Sequence, residues 1–338
     1  MKVLITGGAG YIGSTIAACC VDNGITPVIL DDLSTGLREF TKPYDFYHGD
    51  IANTQLLHQV VAEHPDIAAV IHCAAKIVVP ESVDHPLDYY ENNVAKSIVL
   101  MRELAEAGVG KFILSSTASM YEPDPDYMVD ESSVVAPQSP YAASKWMLER
   151  VLRDYASTGK LQTIALRYFN PIGADPKRRC GLQNPHPSHA LGKMIEAHSS
   201  HTAFTVTGTN WPTRDGSGLR DYIHVWDLAQ AHIAALKNFD QVMAQSQTAG
   251  FDVINLGTGT GTTVFELVDA FGIASGVPLS VTTAPPRLGD VVGCASRTAK
   301  AQELLDWHSQ LSIAQGVQDS LTWAKLLPEV LEREAANF

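Results

Sequence analysis

The sequence predicts an α/β fold: a doubly wound parallel sheet with a smaller mixed α/β lobe toward the C-terminus. Three observations carry that expectation. Short apolar runs alternate with helical segments through the first half of the chain. A glycine-rich stretch, GGAGYIG at 7–13, separates the first such run from the first helix. After Asn170 the alternation gives way to loop-rich chain.

Lys2–Thr6 (KVLIT) is too short for a helix and rich in β-branched residues, so it reads as a buried strand. Ser14–Asn23 reads as a helix stopped by Gly24. Thr26–Leu30 is the second strand, ending at Asp31-Asp32, and Phe46–Asp50 is the third. Helix Thr54–Glu63, strand Ala69–His72, helix Ala95–Ala107, strand Lys111–Ser115, helix Ser139–Ala156 and strand Thr163–Arg167 follow. Parallel strands need crossover helices, and these cover both faces of the sheet. Farther on, Pro171–Ser188 is loop, Ala190–Ala197 helix, Phe204–Val206 strand and Gly208–Arg220 turn-rich. Tyr222–Val225 and Val253–Leu256 read as strands around the helix Asp227–Asn238, and Thr262–Phe338 mixes helices with loops.

The chain has 338 residues, 45% of them hydrophobic, enough for a large core. A formal net charge of -13 argues against a nucleic-acid partner, which wants a basic face. The five cysteines, Cys19, Cys20, Cys73, Cys180 and Cys294, form neither a CxxC pair nor a metal-ligand spacing. They read as reduced thiols of a cytoplasmic protein without a metal centre. The segment 1–9 is already strand and turn rather than a signal peptide, and no apolar run reaches membrane length.

The stretch GGAGYIG matches G-x-x-G-x-x-G, the phosphate loop of a Rossmann-type sheet. Gly7 permits the tight turn, Gly10 lets backbone approach a pyrophosphate, and Gly13 lets helix pack on strand. The free N–H groups of the helix start favour negative charge. Asp31 ends the next strand about 20 residues on, where a ribose-binding acid belongs. Its carboxylate accepts from ribose hydroxyls and repels a 2′-phosphate, so NAD is expected over NADP.

Tyr141 and Lys145 stand four apart at the start of a helix, which puts them on one face. A free tyrosine titrates near ~10, and a nearby ammonium lowers that value. Such a tyrosine can take a proton from an alcohol while a nicotinamide takes the hydride. Upstream, SSTASMYE (115–122) sets three hydroxyls at the mouth of a strand.

The glycine loop, Asp31, the hydroxyl run and YxxxK together resemble the extended short-chain dehydrogenase/reductase family. The resemblance makes Thr117, Tyr141 and Lys145 the catalytic set, with Ser115 and Ser116 lining the cofactor side. Carried over position by position, it extends the cofactor contacts of Gly7, Gly10, Gly13, Asp31, Tyr141 and Lys145. The added residues are Tyr11, Ile12, Asp32, Asp50, Ile51, Cys73, Ala74, Ala75, Asn93, Ser115 and Tyr168.

Longer stretches narrow the resemblance. RYFNPIGA (167–174), PTRDGSGLRDYIHV (212–225), Asn255-Leu256-Gly257 and RLGD (287–290) resemble the UDP-glucose 4-epimerase (UDP-galactose 4-epimerase) branch. This implies a homodimer using helices Ala95–Ala107 and Ser139–Ala156. It also implies an NAD-binding unit of residues 1–170 plus about 220–258, and a UDP-sugar lobe of 171–219 plus 259–338. Substrate contacts fall on Thr117, Tyr141, Asn170, Ser188, Arg220, Arg287, Asp290 and Cys294. Arginine suits a diphosphate because its planar fork matches phosphate oxygens. The implied reaction removes the proton of the 4-hydroxyl and the hydride of carbon 4, then returns hydride to the opposite face. Cofactor then stays bound through turnover.

The chain departs from relatives at several places. Ala118 and Ser119 stand where dehydratases of the family carry an acidic pair, which favours epimerisation over elimination. Glu122 replaces a usual Gly, and the acidic, proline-rich run 123–126 follows. Ser188 falls at the second position of a usual Asn pair. Cys294 is small where a bulky Tyr excludes N-acetylated sugars, implying room for UDP-GlcNAc and UDP-GalNAc. A UDP-pentose or UDP-uronate 4-epimerase, and a catalytically inactive NAD-binding regulator, stay open as alternatives.

Overall fold

The computed structural model describes residues 1–286 and 291–336. Its centre is a seven-stranded, all-parallel sheet. The strands are β1 (Lys2–Thr6), β2 (Thr26–Asp31), β3 (Asp45–His48), β4 (Ile67–His72), β5 (Lys111–Thr117), β6 (Gln162–Tyr168) and β7 (Phe251–Leu256). They lie in the order β7-β6-β5-β4-β1-β2-β3. The principal helices are α1 (Tyr11–Asp22), α2 (Thr54–Glu63), α3 (Lys96–Glu106), α4 (Pro140–Ala156), α5 (Ala190–Ser199), α6 (Val225–Lys237), α7 (Val264–Ser275) and α8 (Ile313–Ala335).

Successive side chains of a strand point to opposite faces, and β1 shows the consequence. Val3 and Ile5 pack with Ile16 and Cys19 of α1 and Leu228 and Ile233 of α6. Leu4, between them, packs on the other face with Leu57 and Val60 of α2, Leu100 of α3 and Leu148 and Leu152 of α4. Val3, Leu4 and Ile5 have no exposed surface, so each burial is worth about 1.5–3 kcal/mol. Covering both faces is why these strands read as continuous apolar runs rather than alternating ones.

Several boundaries differ from the sequence expectation for local reasons. Helix α1 begins at Tyr11 rather than Ser14, because Gly10 already serves as its extended N-cap. Strand β5 continues two residues past Ser115, since Ser116 pairs with Arg167 and Thr117 with Tyr168. The third strand stops at His48, and the Gly49 N–H turns back to the Asp31 carbonyl at 3.0 Å. A wide turn of π-helix, Glu91–Ala95, precedes α3 and carries Asn93.

The remaining chain builds a second core in which Leu191 and Met194 of α5, Leu267 and Phe271 of α7, and Val317 and Leu321 of α8 meet. Thr263 and Glu266 form a capping box that fixes the start of α7. The short parallel strands Phe204–Thr207 and Val281–Ala284 pair beside this core. Asp221 binds the two regions: its buried carboxylate accepts from the N–H groups of Thr258, Gly259 and Ser296.

On the opposite side, Ile77, Val79, Val83, Leu87, Trp146 and Met147 are exposed. They sit on or beside the short helices Val79–Asp84 and Pro86–Tyr90 and on α4. Among the described residues no helix is long and apolar enough to cross a membrane.

Candidate active site

Strands β1 and β4 are neighbours at the point where the strand order reverses, the place where open α/β sheets bind ligands. The glycine loop leaves β1 there. Gly7 has φ 72°, and a Cβ on it would stand 2.5 Å from the Ala74 nitrogen in the loop after β4. A Cβ on Gly13 would stand 2.2 Å from the Gly7 carbonyl oxygen. A Cβ on Gly10 would meet nothing nearer than the Gly7 carbonyl oxygen at 3.5 Å, and no side chain caps the helix it begins. The two outer glycines are thus needed for packing, whereas a Cβ on the middle one would make only ordinary contacts.

Asp31 is buried and ties the loop down: its carboxylate accepts from the N–H of Ala9 at 3.0 Å and of Leu33 at 2.8 Å. Burial pushes its pKa up. Asp32 accepts from Ser34 N–H at 2.9 Å. Tyr11, at the helix start, donates its hydroxyl to the Gly173 carbonyl at 2.6 Å, and Ile12 packs into the core beside it. Asp50 takes the Ala52 N–H and the Lys96 ammonium, which outweigh burial and lower its pKa. Ile51 is core. The Asn93 carboxamide is committed to Lys76, accepting from its N–H at 2.8 Å and donating to its carbonyl at 3.0 Å, and it also donates to Ser144. It thereby shapes the chain after Cys73, Ala74 and Ala75.

The hydroxyl site lies at the carboxyl end of β5. Tyr141 and Thr117 are both buried, with the Thr117 hydroxyl near enough to the phenol to bear on its ionisation. Burial raises the Tyr141 pKa, and the nearby Thr117 hydroxyl pulls it back. Thr117 Oγ1 also lies 2.8 Å from Ser119 Oγ. Lys145 is buried one turn along the same face and donates to the Ser115 carbonyl at 3.0 Å. Burial lowers its pKa to about 8. The expected pull of Lys145 on the Tyr141 phenol is therefore not what balances it here: Thr117 does that, while the ammonium rests on Ser115.

Ser116 does not line the cofactor side. It faces the other layer, donating to Glu149, which forms a buried ion pair with Arg167 at 2.5 Å. Arg167 in turn donates to Tyr121, and Tyr121 to Asn255. Ser115 points the opposite way, within 3.1 Å of both Cys73 Sγ and His232 Nε2. His232 Nδ1 is 2.8 Å from the Leu228 carbonyl, which can only accept. Its proton is therefore on Nδ1, Nε2 accepts, and the Ser115 hydroxyl donates to it. Burial lowers the His232 pKa to about 4, keeping it neutral. Tyr168 lies near both Ser115 and Tyr141.

Around the entrance, Arg220 spends its donors on the carbonyls of Leu219, Val291 and Val292 rather than on Asp221. Asn170 pairs with Tyr222, and its carboxamide has no partner among the described residues. Ser188 is exposed. The neighbouring His189 was not singled out in the sequence. Its Nδ1 accepts from Gly192 N–H at 3.2 Å, so Nε2 carries the proton and is a buried donor with no partner among the described residues. Cys294 packs against Ala118, Tyr121, Val129 and Phe169. Burial raises its thiol to about 12. The acidic run 123–126 meets Arg297, which pairs with Asp124 and Asp126, each at 2.8 Å. Arg287 and Asp290 lie outside the described residues.

A sheet of this order, with a glycine loop at its reversal and a titratable cluster beside it, is the frame of a dinucleotide-dependent enzyme. Comparison with known proteins agrees. A protein of Rhizobium meliloti (strain 1021) named UDP-glucose 4-epimerase is 38% identical over 323 residues, 95% of this chain and 96% of its own. The structure of a UDP-glucose-4-epimerase from Stenotrophomonas maltophila with bound NAD and formylated UDP-arabinopyranose superposes with TM-score 0.89. It is 32% identical and covers 97% of this chain and 99% of its own. The UDP-Glc/GlcNAc 4-epimerase of Campylobacter jejuni superposes with TM-score 0.81 at 32% identity, over 96% of this chain and 99% of its own. Residues 3–257 match the NAD dependent epimerase/dehydratase family, and the chain belongs to it.

The family's cofactor is NAD, and the residues present fit it. The side-chain-free Gly10 and the uncapped start of α1 suit a pyrophosphate; the Asp31 carboxylate suits a ribose.

Proposed function

We propose that the chain interconverts UDP-glucose and UDP-galactose by epimerisation at sugar carbon 4, through a transient 4-keto sugar. In this reading the sheet unit, residues 1–170 plus about 220–258, holds NAD, and 171–219 plus 259–338 holds the UDP-sugar. NAD, when bound, would supply the hydride acceptor and donor. Tyr141 takes the proton of the 4-hydroxyl, and Thr117 hydrogen-bonds the same oxygen. Lys145, which rests on the Ser115 carbonyl in this structure, stabilises the phenolate once its ammonium swings from that carbonyl toward Tyr141. Gly7, Gly10, Gly13, Asp31 and the chain after β4 hold the cofactor. Arg220, Arg287, Asn170, Ser188 and the His189 donor serve the diphosphate, and Asp290 a ribose hydroxyl.

The observation that carries this reading is the meeting of Thr117, Tyr141 and Lys145 beside the sheet's reversal point. Ala118 and Ser119 offer no acid or base for elimination, which supports epimerisation over dehydration. The test is incubation with UDP-galactose, UDP-glucose, their N-acetyl forms and UDP-arabinose, with products separated chromatographically and no NAD added. Wild-type protein equilibrates the hexoses; Tyr141→Phe slows this by on the order of 100-fold or more. Bound NAD with no conversion of any of these sugars would favour the regulatory alternative.

A second reading, acceptance of N-acetylated UDP-hexoses, is supported by the small Cys294 beside Ala118 and Phe169. Cys294→Tyr should then abolish turnover of UDP-GlcNAc and spare UDP-glucose. The exposed apolar residues of α4 and the two short helices support a homodimer. The five free thiols support a reducing compartment, the cytoplasm.

A further inference from the structure

The stretch that follows Ile172 leaves the short strand paired with Tyr222–His224 and runs back along α1, fastened at several points. Gly173 receives the Tyr11 hydroxyl at the helix start. Cys180 Sγ lies 3.7 Å from Thr15 Oγ1 in the middle. Arg179 reaches Asp22 at 2.9 Å at the helix end. Trp323 of α8 holds the strap down: its indole N–H donates to the Leu182 carbonyl at 2.9 Å, and its ring abuts Gly181.

The strap ends on Gln183, which crosses between two loops. Its Nε2 donates to the Thr35 carbonyl at 3.0 Å, in the loop that follows Asp31. The same nitrogen is 3.9 Å from where a Gly10 side chain would begin. These two loops are the walls of the cofactor groove: one carries the pyrophosphate glycine, the other the ribose acid. The second carboxamide atom, Oε1, is shielded from solvent and has no hydrogen-bond partner among the described residues. A buried acceptor left unpaired costs roughly 1–3 kcal/mol, so a donor is wanted there. Phosphate oxygens are acceptors and cannot supply one. On NAD, beside Asp31, the available donors are the hydroxyls of the adenosine ribose.

We propose that Gln183 is the latch of the cofactor groove, bridging the glycine loop to the loop after β2 and accepting a hydrogen bond from the adenosine ribose through Oε1. It is a positioning residue, remote from the reacting carbon, and it sets how long NAD stays bound. The strap then couples the second lobe to cofactor retention. This rests on the NAD-dependent reading of the site.

The test is the release rate of NAD from purified holoprotein. Free NAD is trapped by an excess of an auxiliary dehydrogenase and its reduction is followed by absorbance. Gln183→Met keeps the length and packing of the side chain but removes both hydrogen-bonding ends. Its NAD should leave about tenfold faster, and it should carry less NAD after purification. Gln183→Glu sets an oxygen against the Thr35 carbonyl and should also release faster; it decides the matter if the Met variant does not fold. Release at the parent rate by the folded variants overturns the latch. A parent protein that neither carries nor binds NAD overturns the cofactor reading itself, and the latch with it.

Discussion

At the residue scale, Lys145 holds the sharpest conflict between stability and chemistry. Burial brings its pKa from 10.5 to about 8. Below pH 8 the ammonium is protonated in both folded and unfolded chains, and folding bears the full desolvation cost. Between about 8 and 10.5 the unfolded chain keeps a proton that the folded one has lost, so this group's contribution to stability rises with pH. Lys145→Met should therefore raise the melting temperature of the cofactor-free protein at pH 7, by roughly 1–3 kcal/mol of stability. The same variant should lose on the order of 100-fold or more in turnover. Melting curves and the UDP-galactose assay check the two halves together. Tyr141 and Lys145 were legible in the sequence because a spacing of four fixes a shared helical face. The Ser115–His232 bond was not, because 117 residues separate its ends and only the stacking of α6 on β5 joins them.

At the scale of elements, the hydroxyl run of β5 misleads in an instructive way. Ser and Thr compete with backbone ladders and so read as loop. Here pairing with β6 carries the strand through Thr117, and alternation then sends Ser115 and Ser116 to opposite layers. By contrast, the start of α4 was readable: Ser139 accepts from Ala142 N–H, and Pro140 takes the first helical position. The Glu149–Arg167 pair ties α4 to β6, with side chains 4% and 6% exposed. Glu149→Gln keeps the shape but leaves the Arg167 charge uncompensated, costing about 3–5 kcal/mol. Urea unfolding should show the midpoint drop with an unchanged slope. An unaltered midpoint would mean that water or Tyr121 compensates Arg167.

For the molecule as a whole, the parallel sheet and its two covering layers follow from the alternation of apolar runs and helices. The strap to α1 and the Arg297 clamp on Asp124 and Asp126 do not, because no local pattern records which loops will touch. The resemblance implies self-association through α3 and α4. Exposed apolar residues lie on α4 and on the short helices around Val83 and Leu87. If a second copy covers it, Trp146→Glu should shift the protein from dimer to monomer in sedimentation, with the NAD content retained. A monomeric parent would remove the basis for that prediction.

Strand β7 is the last to join the sheet, and it comes only after α5, the strand at 204–207 and α6 in the chain. During synthesis, therefore, β6 waits with one row of amide and carbonyl groups unmatched. A recombinant piece cut anywhere between Tyr168 and Phe251 would keep that raw border for good. It should precipitate or pair with itself, whereas extension past Leu256 should restore solubility. Pelleting assays on a nested set of C-terminal deletions would reveal that threshold.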